Sequence, residues 1–356
     1  MKLLYLIDTL YRSGGMERII ISKANALAED YGYEVILLTN HQRGRPCFFP
    51  LSPKVRHVDI DVNYRLPFMM GRYVRKVSDF ILREKPDICI STCGKELFQM
   101  SRLPGDCRKM AEFHFSHRTY QVKGQNAKLR WMEKAVRELD CFVVLTKEDA
   151  LQWKPFSDNV RQIYNPSFFE PSEALADMDS KRLVAAGRFE RQKNFQDLVT
   201  AWTIVHSIHP DWTLDIFGDG SAKPFIQGMV DASSLDGTLK LHPATDDLRG
   251  EMLRSSGMVM SSLYEGFPLV MIEAASVGLP FISYRCPCGP GEFIEDGLDG
   301  FTVPVGDVDA LAARISEFID SAALRRTMSA HIKQKSADFT AEHIMPQWDA
   351  LFKSLV

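Results

Sequence analysis

Short, nearly unbroken apolar runs alternate with amphipathic stretches along almost the whole chain, and the pattern starts over after the midpoint. A strand covered on both faces reads as a continuous apolar run, and parallel strands need a crossover, usually helical, between them. In the first half KLLYLI (Lys2–Ile7), YEVILLT, VRHVDI, DICIS (Asp87–Ser91), KMAEF (Lys109–Phe113) and CFVVLT (Cys141–Thr146) read as strands. Helices are expected from Glu17 to about Glu29, from about Leu66 to Arg83 and over Ala127–Glu138. IYNP (Ile163–Pro166) closes this half, and the polar stretch Glu170–Ser180 reads as a linker. The second half supplies RLVAAG, WTLDIFG, TLKLH, MVMSSL, FISY and FTVPV as strands. NFQDLVTAWTIVHSI reads as a helix with Asn194 at its N-cap. Helices over about Asp307–Ile319 and Ala322–Ala337 follow the last strand, and Glu342–Leu355 carries Ile344, Trp348, Leu351 and Phe352 at helical spacing. The expected class is α/β, with two facing, Rossmann-like, doubly wound domains and an interdomain cleft at the carboxyl ends of their strands.

Length agrees, since 356 residues give two domains a core each. With 45% hydrophobic and 25% charged residues the composition is that of a globular protein. No apolar run approaches the ~18 residues of a membrane span. The opening MKLLYLID carries no signal-peptide pattern because Asp8 interrupts it. The seven cysteines (Cys47, Cys89, Cys93, Cys107, Cys141, Cys286, Cys288) lack zinc spacing, and reduced, mostly buried thiols in a cytoplasmic protein are expected. Residues 1–165 hold 27 Lys and Arg against 19 Asp and Glu, a net of +8, while the remainder is −11. That asymmetry suggests an anionic partner for the first half.

The loops after strands carry the candidate chemistry. EGFPLVMIE (Glu265–Glu273) follows the apolar run GMVMSSL and leads into a short helix, Pro268–Val277, closed by Gly278 and Pro280. With Pro268 at the first helical position, the amides of Leu269 and Val270 point out of the helix N-terminus, where an anion is favoured. One carboxylate stands before that site and the other two turns inside, which suits a phosphate flanked by sugars. An ordinary strand–turn–helix with two surface glutamates accounts equally well for these residues taken alone. RFERQK places Arg188 and Lys193 on one loop, a fork of donors and a point charge suited to a diphosphate, or else two solvated surface cations. FGDG (Phe217–Gly220) allows a close backbone approach to a ligand or is a plain turn. Gly14 and Gly15 precede a helix in weaker phosphate-cradling form, without the G-x-G-x-x-G of a dinucleotide site.

Together EGFPLVMIE with the following AASVGLPFI, GRFERQKN, CGPGEFIEDGLDGFTVP, FGDG, SGGMER and IYNP resemble a retaining glycosyltransferase of family 4, with the GT-B fold. The resemblance covers essentially the whole chain and implies an acceptor-binding domain over residues 1–167 and a nucleotide-sugar-binding domain over 168–340. It also implies a last helix, 341–356, that packs back on the first domain. It further implies that Glu265 holds donor-sugar hydroxyls, that Glu273 holds the nucleotide ribose, and that Arg188 and Lys193 neutralise the diphosphate with the amides of Leu269 and Val270. Gly266 and Phe267 lie inside the same donor-binding motif. Gly15 matches the glycine of the first loop, and His114 in EFHFSH the cleft histidine, with His117 as rival. Gly291 departs from the pattern, since many relatives carry a larger or basic residue there, and this bears on Glu292 beside it.

The activity so implied is transfer of a hexosyl unit, with retention, from a nucleotide sugar, UDP-linked by expectation, to a saccharide acceptor. The acceptor class suggested is a lipid-linked or growing bacterial surface polysaccharide. No cofactor or metal is expected, and the strings Asp59–Asp61, Asp177–Asp179 and Asp307–Asp309 read as incidental. Arg65, Arg72, Arg75, Lys76, Arg83 and Lys85, and a second set from Arg118 to Arg137, are interleaved with Phe68, Met69, Met70 and Trp131. Such faces can rest on an anionic membrane surface, here the inner face of the cytoplasmic membrane, or be ordinary solvated helix faces. Nucleic acid is not expected for a slightly acidic chain without a recognised module. A UDP-sugar epimerase of similar shape and a non-catalytic nucleotide-sugar-binding protein are the alternatives.

Overall fold

The computed structural model describes residues 1–66, 68–92, 95–168, 173–235 and 237–356. It divides into two units, Met1–Pro166 with Ala341–Val356, and Ser167–Thr340.

In the first unit seven strands form one sheet: β1 (Lys2–Ile7), β2 (Glu34–Thr39), β3 (Arg56–Asp59), β4 (Ile88–Ser91), β5 (Arg108–Phe113), β6 (Cys141–Val144) and β7 (Val160–Gln162). Their order is β3-β2-β1-β4-β5-β6-β7 and every pairing is parallel. The chain therefore starts in the middle, winds outward one way, and reverses between β1 and β4, the doubly wound pattern. The sequence reading misses β7, whose three residues VRQ are too short for any periodic signal. The first helix, Gly15–Glu29, turns Ile19, Ile20, Lys23, Ala24 and Leu27 inward. The second, Met70–Glu84, begins four residues later than its apolar pattern suggests, because Phe68 is left-handed at φ 62°. One core cluster runs from Leu4 and Leu6 through Phe113 and Phe142 to Trp153. The terminal helix Ala341–Leu355 buries Ile344, Met345, Trp348 and Phe352 against this unit; Leu351 is half-buried. Tyr33 donates its hydroxyl to Asp349 at 2.6 Å and meets Phe352 edge-on.

The second unit has six parallel strands: β8 (Arg182–Ala186), β9 (Thr213–Phe217), β10 (Leu239–His242), β11 (Gly257–Met260), β12 (Phe281–Tyr284) and β13 (Gly300–Val303). The order β10-β9-β8-β11-β12-β13 repeats the same winding, with the reversal between β8 and β11. Helices Phe195–Ile208 and Val308–Asp320 cover one face with Trp202, Val205, Leu311 and Phe318. Asn194 stands at the N-cap position without capping: it is left-handed at φ 50°, and its amide donates to Asp197 at 2.6 Å. Part of the expected linker, Glu170–Ser172, lies outside the described residues. The rest is tied into this unit, with Ala176 N–H on Val277 and Asp177 N–H on Leu253. Arg325 Nε donates to the Met178 carbonyl at 2.9 Å, so this stretch is packed backbone rather than a free tether.

Candidate active site

In an open parallel sheet the crevice for a ligand lies where the winding reverses, because the loops on either side diverge there. In the second unit these loops follow β8 and β11, and they carry GRFERQK and YEGFP. Lys193 Nζ meets Glu265 Oε1 at 2.7 Å, joining the two loops across the reversal. Gln192, which the sequence reading passed over, donates to Glu265 Oε2 at 3.1 Å and to the Tyr264 carbonyl at 3.0 Å. The Leu263 N–H returns to the Gln192 carbonyl, and Ser261 Oγ donates to that of Lys193. The 7% exposed Glu265 carboxylate is thus held by an ammonium and an amide together. Arg188 is exposed on the same loop and acts electrostatically on Tyr264, whose hydroxyl is raised by burial and by Glu265 and lowered by Arg191 and Arg188.

Two glycines make this loop pairing sterically feasible. A Cβ on Gly218, at φ 157°, would lie 1.9 Å from the Gly187 carbonyl oxygen. One on Gly187 would lie 2.7 Å from the Lys193 aliphatic chain. What the FGDG turn admits is therefore the neighbouring loop, whose Gly187 N–H donates to Phe217. The loop that carries Arg188 and Lys193 rests on that contact.

The helix after β11 runs Leu269–Ser276, and Pro268 is its N-cap in extended conformation rather than its first helical residue. Leu269 and Val270 occupy the first two helical positions, where amides lack an intrahelical acceptor; the next amide, Met271, turns back to the Pro268 carbonyl. Gly266, Leu269 and Val270 are half-buried, and Glu273 lies one turn in rather than two, buried like Glu265 and not a surface glutamate. The Phe267 ring is committed elsewhere, stacked on Phe339 at 5.7 Å and edge-on to Phe293 at 5.9 Å, so a ligand would meet its main chain. Gly289, at φ 112°, packs on Pro268, where a Cβ would come within 2.8 Å. Gly291 has a local cause too, since its Cβ would lie 2.9 Å from the Arg285 side chain. Burial pushes the Cys286 thiol well above its usual range, Glu265 adding to the effect and Lys193 opposing it.

The first unit holds Gly15 and His114. Gly14 is the N-cap of helix Gly15–Glu29, so Gly15 is its exposed first residue rather than a residue before it. A Cβ on Gly14 would lie 2.3 Å from Glu17 Oε2, which folds back over this end. His114 follows β5, its Nε2 3.5 Å from Glu112 Oε2, with the side chain 7% exposed. His117 is built into the fold: Nε2 contacts Glu133 at 3.0 Å and the ring lies between Trp153 and Phe156. Each D-x-D string has structural work as well. Asp59 accepts from Thr39 and Gln42, Asp61 pairs with His41, Asp177 and Asp179 hold a turn and Arg326, and Asp307 caps a helix. Among the described residues no group of three His, Cys, Asp or Glu is placed to hold a metal ion. The six described cysteines form no disulfide, four of them are buried, and Cys93 lies outside the described residues. No helix among the described residues is long and apolar enough to cross a membrane.

Residues 13–166 match the family model described as Glycosyltransferase Family 4, and residues 168–335 the one described as Glycosyl transferases group 1. The amylovoran biosynthesis glycosyltransferase AmsD of Erwinia amylovora is 30% identical over 365 residues, covering 98% of each chain. A Campylobacter jejuni α-1,4-N-acetyl-D-galactosaminyltransferase, named for a diNAcBac-PP-undecaprenol-linked acceptor, is 23% identical over 98% of this chain and 97% of its own. Among solved structures, a mutant of TarM from S. aureus in complex with fondaparinux, alpha-GlcNAc-glycerol and UDP superposes with a TM-score of 0.83 over 99% of both chains, at 14% identity.

Proposed function

The chain belongs to the glycosyltransferases of GT-B fold, and from that premise we propose that it is a retaining, family 4 hexosyltransferase using a nucleotide sugar, UDP-linked, as donor. The observation that carries the reading is the Lys193–Glu265–Gln192 contact at the strand reversal, beside an open helix N-terminus. A cation and helix amides favour a diphosphate, while a carboxylate next to them accepts hydroxyl hydrogen bonds. Lys193, Arg188 and the amides of Leu269 and Val270 stabilise charge on the departing diphosphate. Glu265 orients the sugar, Glu273 the ribose, and Gly266 and Phe267 contribute main chain. Gly15 and His114 contact donor phosphate and reacting sugar from the first domain.

In this mechanism the bond from the anomeric carbon to diphosphate oxygen breaks as the acceptor oxygen approaches on the same face. The diphosphate takes the acceptor's proton, so neither glutamate need act as nucleophile. No metal or cofactor enters the proposal. The acceptor is a lipid-linked or growing surface saccharide, in keeping with the names of the two relatives. An anionic membrane surface is the proposed docking partner of the basic helix Met70–Glu84, near the exposed Phe68, and of the face around Trp131. Lys76 does not contribute, since it donates to the Ile60 carbonyl, and Met69 and Met70 pack partly on the core.

The test is donor hydrolysis and thermal stabilisation across UDP-, GDP- and ADP-sugars for wild type and Arg188→Ala/Lys193→Ala. One nucleotide should stabilise wild type and leave the double variant unmoved. If no nucleotide binds, even with saccharide acceptors present, the reading fails.

A further inference from the structure

We propose that Glu112 is a positioning residue that orients the His114 ring and keeps a proton on its inward nitrogen, and that Lys23 is the counter-charge that sets how strongly it does so. Strand β5 alternates: Ala111 and Phe113 join one core cluster, which places Glu112 on the opposite face. That face is closed by Lys23 from helix Gly15–Glu29 and Trp348 from the last helix, the ammonium standing 3.7 Å from the indole centroid. Lys23 and Glu112 form an ion pair, with both side chains at 2% exposure or less. A dry ion pair gives little net stability over apolar residues of the same size, so its presence in a core calls for another reason.

His114 supplies one. Its Nε2 is buried without a hydrogen bond, and the acceptor set beside it is Glu112, whose Oε1 also lacks a partner. A carboxylate there fixes the tautomer with the proton on Nε2 and leaves Nδ1 as an acceptor for a sugar hydroxyl. Two other groups face the carboxylate, one of them the Tyr5 hydroxyl, a second donor beside it. Tyr5 from β1 and Cys141 from β6 are both held neutral by burial, the thiol being pushed up to about 12. Lys23 is the ammonium paired with Glu112, and it lies on the helix that begins at Gly15.

The two single substitutions should therefore move His114 in opposite directions. Glu112→Gln removes the near negative charge and lowers its proton affinity. Lys23→Met leaves Glu112 with His114 as its remaining cationic partner and raises it. Nuclear magnetic resonance titration of His114 in the full chain reads this directly, and Lys23→Met/Glu112→Gln, which buries no unpaired charge, should return near wild type. Because the double variant carries a neutral pair, it keeps the comparison open should Glu112→Gln fold poorly. Midpoints that stay together in all variants, or that move the same way in both single variants, overturn the proposal. For its effect on turnover the proposal rests on the role given above to His114. A titration that moves while the pH profile of kcat does not would refute that role and leave the positioning intact.

Discussion

Replacing Lys193 with methionine tests the contact that joins the loops after β8 and β11. The Glu265 carboxylate, 7% exposed, has Lys193 at 2.7 Å and Gln192 at 3.1 Å. Without the ammonium it is a nearly buried charge held by one neutral amide. Removing one partner of a dry ion pair costs about 3–5 kcal/mol. Here the lysine side chain is 16% exposed and Gln192 keeps its bond. The expected loss is therefore about 2–3 kcal/mol. Glu265→Gln should cost only about 1 kcal/mol, because the ammonium left behind can turn to water. The double variant should recover about 1–2 kcal/mol relative to the sum of the single effects, the signature of direct coupling. Hydrogen exchange read by mass spectrometry during urea unfolding isolates the second unit, whereas fluorescence would mix its Trp202 and Trp212 with tryptophans of the first. Under the proposed function, UDP should stabilise Glu265→Gln nearly as well as wild type and should not stabilise Lys193→Met. Additive single-variant energies would refute the pairing.

Gly218→Ala should destabilise the second unit by about 2–3 kcal/mol, because the new Cβ meets a backbone oxygen at a left-handed position; nucleotide binding should fall with it as the Arg188–Lys193 loop shifts. Gly228→Ala, in a helix with open space around it, should instead stabilise by about 0.5–1 kcal/mol. Urea midpoints of equal size for the two would show that the glycine contact is not what holds the loop. For Glu112, burial works against ionisation, yet Lys23 and His114 outweigh it and hold the carboxyl down to about 2 from an ordinary 4.5. A depressed carboxyl stabilises the fold above its unfolded value and loses that contribution as pH falls through the folded one. Stability of the first unit should therefore drop between about pH 4.5 and 2, with a shallower slope in Lys23→Met/Glu112→Gln, as followed by acid titration of exchange protection.

The winding of both sheets was legible because buried parallel strands must be apolar throughout, and runs such as KLLYLI and MVMSSL have no alternative home. Most boundaries then landed within a few residues. The exceptions have identifiable causes: Phe68 takes a left-handed conformation that its residue type does not announce, and Pro268 can start a helix from either of two adjacent positions. At the candidate site the charged residues were legible by type, since two cations on one loop and a carboxylate before a helix are unusual enough to be noticed. Their partnership was not. Lys193 and Glu265 are 72 positions apart, and only the adjacency of β8 and β11 brings them within 2.7 Å. Gln192 was invisible for a related reason: a neutral amide in a charged loop carries no signal until the carbonyl of Tyr264 and the carboxylate of Glu265 are both in reach. For the glycines of FGDG the sequence leaves a ligand approach and a plain turn equally open, and the constraint on Gly218 comes from Gly187 on the loop after β8. Lys23 shows the same limit in reverse, since on a helical wheel it is a flaw in an apolar stripe. It becomes intelligible only once parallel pairing brings Glu112 beneath it. Helix and strand periodicities report which face is inward; they do not report what a buried charge will find there.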